Sequence, residues 1–246
     1  MKLILILLIF TISCSEPAPL DAPATPKSIP VAPAPTAPPD AAICKVQDEF
    51  NEPTYIDDQP YIFKERGGNQ IMVFDPCCDK AGTVFIFRND QVPAYVINRY
   101  KGRTYGGMQF QTHEDVKAFI AKKIDSGKEI EKSYFISKKG IKLGMSSSEA
   151  AKIYGPPLSR SVIDKNHKIT RYTWENYGRV ELEGYTGAHV KDGYLYADTG
   201  DQPDKETKLG IFCPDVPQGV TIYIDFQPTA KDDEAIFIYM EHHGIG

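Results

Sequence analysis

GIKLGMSSSEAAKIYGPP, residues 140–157, is the stretch from which the fold can be read. Ser146 and Glu149 stand at the spacing of a capping box, in which each side chain accepts the other's backbone amide. Met145 and Ala150 occupy the two positions of a hydrophobic staple, and Gly155 followed by Pro156 ends the helix. Every local choice therefore specifies a helix of about two turns. Downstream the pattern turns from helical to strand-like. Residues 159–163, 168–174, 179–185, 219–226 and 234–240 are runs that read as strands. A helix followed by a meander suits one layer of helix on an antiparallel sheet, which makes the fold class α+β.

Upstream, residues 70–74, 83–87 and 94–100 are short β-branched and aromatic runs, bounded by Gly-Gly, Asp-Pro, Asn-Asp and Lys-Gly. They read as strands joined by turns. Val116, Phe119, Ile120 and Ile124 then share one helical face, Thr112 and Asp115 are placed as N-cap and acidic N3 residue, and Gly127 is a C-cap. A helix over 112–126 follows. The sequence thus divides into two helix-on-antiparallel-sheet units, residues 41–133 and 134–246.

In front of them, residues 15–40 hold nine of the nineteen prolines among Ala, Ser and Thr, a composition that forms neither helix nor core. This is a tether. Its 26 residues span on the order of 80 Å when extended at about 3.1 Å per residue. Residues 1–13 begin with Lys2 and an apolar run over 3–12. Such a run rises about 15 Å as a helix, half of a hydrocarbon core of about 30 Å, and reads as an export signal. Thr11, Ile12, Ser13 and Cys14 resemble the lipobox of bacterial lipoproteins, in which the cysteine is lipidated and becomes the new N-terminus. The resemblance implies a membrane anchor at Cys14 in a bacterial envelope, and Ser15 after it implies the outer membrane, facing the periplasm. Several acyl chains, at roughly 0.8 kcal/mol per buried CH₂, make such an anchor permanent.

The whole chain of 246 residues carries 28 Lys and Arg against 33 Asp and Glu, a formal charge of -5. Without Lys2, Lys27, Glu16, Asp21 and Asp40, the part from residue 41 keeps 26 basic and 30 acidic residues, or -4. Neither sign dominates, and no basic run offers phosphate neutralisation, which argues against a nucleic-acid partner. Four cysteines lie in that part: Cys44, Cys77, Cys78 and Cys213. In an exported protein an even number suggests disulfides. Adjacent cysteines join each other only through a strained ring, so Cys77 and Cys78 are expected to reach separately to Cys44 and Cys213. No CxxC is present and the histidines are not at ligand spacing, so no metal or other cofactor is expected.

Ile141, Leu143, Gly144 and Met145, then Glu149, Ile153, Gly155 and Pro156, with the aromatic strand from Tyr172 to Trp174, are similar to the start of the SmpA/OmlA domain. That family comprises a small outer-membrane lipoprotein of the β-barrel assembly machinery and is structurally related to the halves of the β-lactamase inhibitor protein. The similarity covers residues 137–177 best. It implies a non-catalytic module that uses its sheet and loops to hold another protein.

Catalytic constellations are nearly absent from the sequence. There is no GxSxG, HExxH, GxxxxGK[ST] or SxxK arrangement. His113 sits at a helix start, His167 in a hairpin, and His189 near Asp192 lacks a nucleophile. His242 and His243 project to opposite sides of a strand and read as a solvated tail. Aromatic residues recur on the second set of strands. Tyr172, Trp174 and Tyr177 are the interface candidates, because Tyr and Trp offer large contact area at small conformational cost. The leading expectation is a lipid-anchored, non-catalytic protein-binding or assembly module with an envelope protein as partner. An inhibitor or sensor of an envelope enzyme is the alternative. A hydrolase assembled from Asp57, Asp58, Glu181 and Glu183 is the second alternative. None of these features fixes an oligomeric state.

Overall fold

The structure, a computed structural model, describes residues 43–51, 53, 61–77, 81–90, 92–105, 108–126, 128–198 and 206–243. The signal segment, Cys14, the tether, Asp57, Asp58, Cys78 and Gly127 lie outside the described residues. The first elements are β1 Tyr61–Glu65, β2 Gln70–Cys77, β3 Ala81–Arg88, α1 Ala94–Tyr100, β4 Thr104–Tyr105, β5 Met108–Gln109, α2 His113–Asp125 and β6 Lys128–Ile130. Then come α3 Ser147–Tyr154, β7 Ser159–Asp164, β8 Ile169–Asn176, α4 Arg179–Gly184, β9 His189–Lys191, β10 Tyr194–Asp198 and β11 Glu206–Ile211. β12 Val220–Pro228 and β13 Asp233–His242 complete the chain. The fold is α+β.

Both capped helices form as their end signals dictate. Ser146 Oγ accepts from the Glu149 amide, and the Glu149 carboxylate accepts from the Ser146 amide at 2.8 Å. Gly155 ends α3 at φ 81°, ψ -172°, a region open only to glycine. Thr112 and Asp115 make the same reciprocal pair at the start of α2, which buries Val116 and Ile120.

Two runs expected as strands are helices. In α1, Val96, Ile97 and Tyr100 are buried together, a spacing that gathers them on one helical face but would divide them between the faces of a strand. Pro93, which has no amide to donate, precedes the first turn. In α4, the Glu181 carboxylate at N3 accepts the Gly178 amide at 2.6 Å and the Gly219 amide at 3.0 Å. That anchoring holds a helical turn in a run expected as a strand.

Eight strands form one sheet in the order β6-β1-β2-β3-β13-β12-β8-β7. Every neighbouring pair is antiparallel except β1 with β6. The strands of the two sequence-defined units are therefore continuous, joined where β13 pairs with β3. Alternation along the strands sorts the core by face. Ile71, Val73, Phe85, Phe87, Phe237 and Tyr239 meet α1 and α2 on one side. Met72, Phe74, Val84, Ile86, Ile238 and Met240 meet α3 and the segment after Ile43 on the other.

That segment is fixed by buried polar groups. Asn176, at the end of β8, donates to the carbonyls of Ile43 and Val46, both at 3.0 Å. Asp48 is buried and accepts from Tyr154 Oη at 2.8 Å, the Lys139 amide at 3.0 Å and Ser137 Oγ. Burial, with Asp48 alongside, pushes the Tyr154 phenol far above its ordinary range, so it stays a donor.

Cys44 is bonded to Cys213, with Cα atoms 5.3 Å apart. This corrects the expected routes from Cys77 and Cys78 to these two partners. The cause lies at the end of β8: Asn176 holds the turn that carries Cys44, and the next carbonyl, that of Tyr177, accepts the Cys213 amide at 2.8 Å. The bond spans 169 positions, and in the chain-entropy account closing so long a loop removes about 5 kcal/mol of unfolded-state freedom. Replacing Cys44 and Cys213 together by serine should lower the unfolding free energy by about 2–5 kcal/mol. Denaturant titration measures this, and an unchanged midpoint would show that the bond leaves the unfolded chain unconstrained.

Candidate functional site

Strand register sets residues of the α1/α2 face in rows that cross the sheet. One row runs Thr173, Tyr223, Tyr239, Phe85, Val73. Its neighbours run Arg171, Asp225, Phe237, Phe87, Ile71 and Glu175, Thr221, Glu241, Thr83, Asp75. In the first two rows the β2 and β3 members are apolar and lie in the cluster built with α1 and α2. From β12 outward the same face turns polar and aromatic. Arg171, Thr173, Glu175, Tyr177 and Tyr223 are each partly exposed there.

Arg171 is the centre of this open half. Its Nε and Nη2 donate to the two oxygens of Asp225 at 2.7 and 2.8 Å, a bidentate pair. Its guanidinium lies 5.0 Å from the Tyr95 ring centre and 5.2 Å from that of Tyr223, within cation–π range. Burial pushes the Asp225 carboxyl up, opposed by Arg171. Burial also works against charge on Arg171, but hydrogen bonds and attraction to Asp225 outweigh it and raise the guanidinium's pKa. Beside this pair, between the start of α1 and the β7–β8 hairpin, lies a cleft of about 300 Å³ lined by Phe87, Tyr95, Ile163, Ile169, Arg171 and Phe237.

The third row supplies a hydrogen-bonded track. Arg99 of α1 donates to Glu241 Oε1 at 3.0 Å and to Thr83 Oγ1 at 3.4 Å. Glu175 Oε1 accepts from Tyr177 Oη at 2.9 Å and Thr221 Oγ1 at 3.1 Å. Thr221 Oγ1 also meets His243 Nε2 at 2.7 Å. A hydroxyl has one proton to give. With that proton on Glu175, His243 must donate from Nε2, leaving the lone pair of Nδ1 facing Glu181 Oε1 at 3.9 Å. Burial pushes the His243 pKa down, against the pull of Glu181, Glu175 and Glu241. The Tyr177 ring packs on the His243 ring at 4.6 Å, and burial followed by Glu175 raises its phenol.

The interface candidates separate by parity. Tyr172 and Trp174 point to the α3 face, whereas Tyr177 belongs to the open one. Trp174 is fully buried, donates from Nε1 to the Gly155 carbonyl at 3.1 Å and meets the Tyr154 ring at 5.5 Å. It is a core residue, which corrects its assignment to an interface. Tyr172 is half-buried on the Phe226 ring, with the Arg160 guanidinium 4.7 Å above it.

His243 is likewise no solvated tail, since β13 carries it back against Gly219 and Thr221. His113 and His167 are exposed, and His189 pairs with Glu206 at 2.6 Å. Glu181 is committed to two backbone amides, and Glu183 is exposed on α4. Among the described residues no group of three or more His, Cys, Asp or Glu side chains could hold a metal ion. Sequence reasoning missed Arg171, Asp225, Glu175, Thr221 and Tyr95. For the four on strands the available signal was their odd-numbered parity with Tyr177 and Tyr223.

Comparison with family models, curated proteins and solved structures returns no match to this chain.

The depressed pKa of His243 makes stability depend on pH in a definite direction. Above the unfolded value of about 6.5 neither state holds the proton. Below it the unfolded chain gains a proton that the folded chain refuses, so the stabilisation is lost as pH falls toward the folded pKa. Between pH 7.5 and 5, wild type should lose more unfolding free energy than His243→Gln, which keeps the donor to Thr221 but does not titrate. Parallel pH curves for the two proteins would contradict this.

Proposed function

We propose that the chain is a lipid-anchored envelope protein whose folded part binds another protein through the open half of its sheet, without catalysis. The observation that carries this reading is the face of β8 and β12, where Asp225 and Thr221 are buried but their neighbours reach solvent. There, partly exposed Arg171, Tyr223 and Tyr177 are already held in place by Asp225, Tyr95 and Glu175. Binding to such a surface costs little side-chain ordering, and Tyr and Arg are the residue types that dominate interface energies. The lipobox-like Cys14, the Pro-rich tether and the likeness to SmpA/OmlA domains supply the envelope context. Asp225, Glu241, Glu175 and Glu181 are engaged as pair partners and a cap, an arrangement suited to a rigid surface. An inhibitor or sensor of an envelope enzyme would use the same face, with a soluble hydrolase in place of a membrane complex as its partner.

Two experiments test this reading. Thr173→Arg places a long charged side chain in the middle of the open face while removing little packing, so it should abolish co-purification of the partner from solubilised membranes and leave the melting temperature nearly unchanged. Trp174→Ala should instead cost about 3–5 kcal/mol of stability, as a buried aromatic truncation does. Full capture by Thr173→Arg would exclude the open face as the docking surface. For the anchor, Cys14→Ala should shift the protein from the membrane fraction to the soluble one and abolish acyl labelling. Continued membrane association would overturn lipidation at that residue.

A further inference from the structure

We propose that the cleft beside Arg171 takes one large apolar side chain of the partner, together with the backbone carbonyl next to it, from a segment that carries no charge there. This rests on the reading of the open half of the sheet as a docking face, and it specifies what that face recognises. Phe87 and Phe237, paired across β3 and β13, supply the floor of the cleft. Tyr95 of α1 and Ile163 and Ile169 of the β7–β8 hairpin complete its apolar lining. At about 300 Å³ it stands at the small end of ligand pockets, with room for one side chain and its peptide group. Ile163 is 46% exposed, one of four large apolar side chains left so open among the described residues. An apolar occupant would cover it and gain the burial that the chain by itself leaves unmade.

The polar groups of the lining select the rest of the occupant. Arg88, Arg171, Asp90, Asp164 and Asp225 all border the cleft. Arg171 spends Nε and Nη2 on Asp225, and Arg88 donates to Glu234 at 3.3 Å. The remaining nitrogen of Arg171, Nη1, makes no hydrogen bond among the described residues and is open to solvent. Its guanidinium is already set in place by Asp225 and by the Tyr95 and Tyr223 rings, so this donor needs little ordering on binding.

Charge on the occupant is disfavoured in both directions. A carboxylate against Nη1 would stand beside Asp225, with Asp90 and Asp164 on the same lining, and a cation would meet Arg171 itself. A backbone carbonyl accepts from Nη1 without bringing a charge that must shed its water. The apolar side chain beside that carbonyl then fills the cleft, as the buried anchor of an interface does.

The test titrates the full chain carrying Cys14→Ala, which has no acyl chains at that position, with three capped tripeptides while the magnetic resonance signals of Arg171 and Phe237 are followed. Acetyl-Gly-Phe-Gly-amide should shift both signals. Acetyl-Gly-Ala-Gly-amide and acetyl-Gly-Phe-Asp-amide should each bind about tenfold more weakly. Ala94→Trp fills the cleft from an exposed position on its lining, and Ile163→Asp sets a carboxylate at an exposed one. Each should weaken the Phe peptide by about tenfold with an unchanged unfolding midpoint. Equal binding of the Phe and Ala peptides, tighter binding of the Asp peptide, or unaltered affinity in both variants would overturn the proposal. Partner capture keeps the two readings apart. Full capture by Ala94→Trp and Ile163→Asp, beside loss in Thr173→Arg, would overturn the cleft and leave the docking face standing, whereas full capture by Thr173→Arg overturns the docking face.

Discussion

Insertion of the β12–β13 hairpin between β3 and β8 is the constraint on which the rest of the structure depends. β13 is the seam. Its Phe237 and Tyr239 finish the cluster under α1, while Ile238 and Met240 finish the one under α3. Neither face can exclude water until this last strand is in place. The pairing it makes, such as Glu241 with Thr83, closes 158 positions of chain. Long-range pairing of this kind withholds its reward until much chain entropy has been lost, which makes such sheets slow to form.

The same seam builds the polar and aromatic half of the sheet. A row such as Glu175, Thr221, Glu241, Thr83, Asp75 exists only because β8, β12, β13, β3 and β2 lie side by side. Arg99 then reaches down from α1 and ties the helix to Glu241 and Thr83 across the joint. On one side of β13 the face is consumed by helix packing, and on the other β12 and β8 carry its partly exposed polar and aromatic residues. A single sheet thus provides both a hydrophobic platform and a polar, aromatic display surface, with β13 serving both.

Elements with paired end signals were legible in the sequence. Ser146 with Glu149 and Thr112 with Asp115 mark helix starts by local chemistry alone, and the structure has both. α1 and α4, with seven and six residues, are too short for periodicity to separate helix from strand. The site was harder to read, because each row takes one residue from each of five strands distant in sequence. Parity was nonetheless available: 172 and 174 must share a face and 177 must take the other, so the three aromatic candidates could not all display together. The partner of Cys44 depended on Asn176 and Tyr177 holding both bonded segments, which no spacing of cysteines encodes.

The bond from Cys44 to Cys213 also decides how the molecule bears mechanical load. A pull applied from the N-terminal side of Ile43 reaches Cys44 one residue later and divides there. Part of the force passes through the sulfur bridge to Cys213, and so to the strand end where Tyr177 accepts the Cys213 amide. The β1–β3 ladder cannot be peeled open from that end, because the covalent link holds the loop closed. Forced rupture is governed by the barrier to unfolding. A chain held by its N-terminus and tugged at β8 or β12 would therefore resist as one block, up to the barrier set by that clamped strand end.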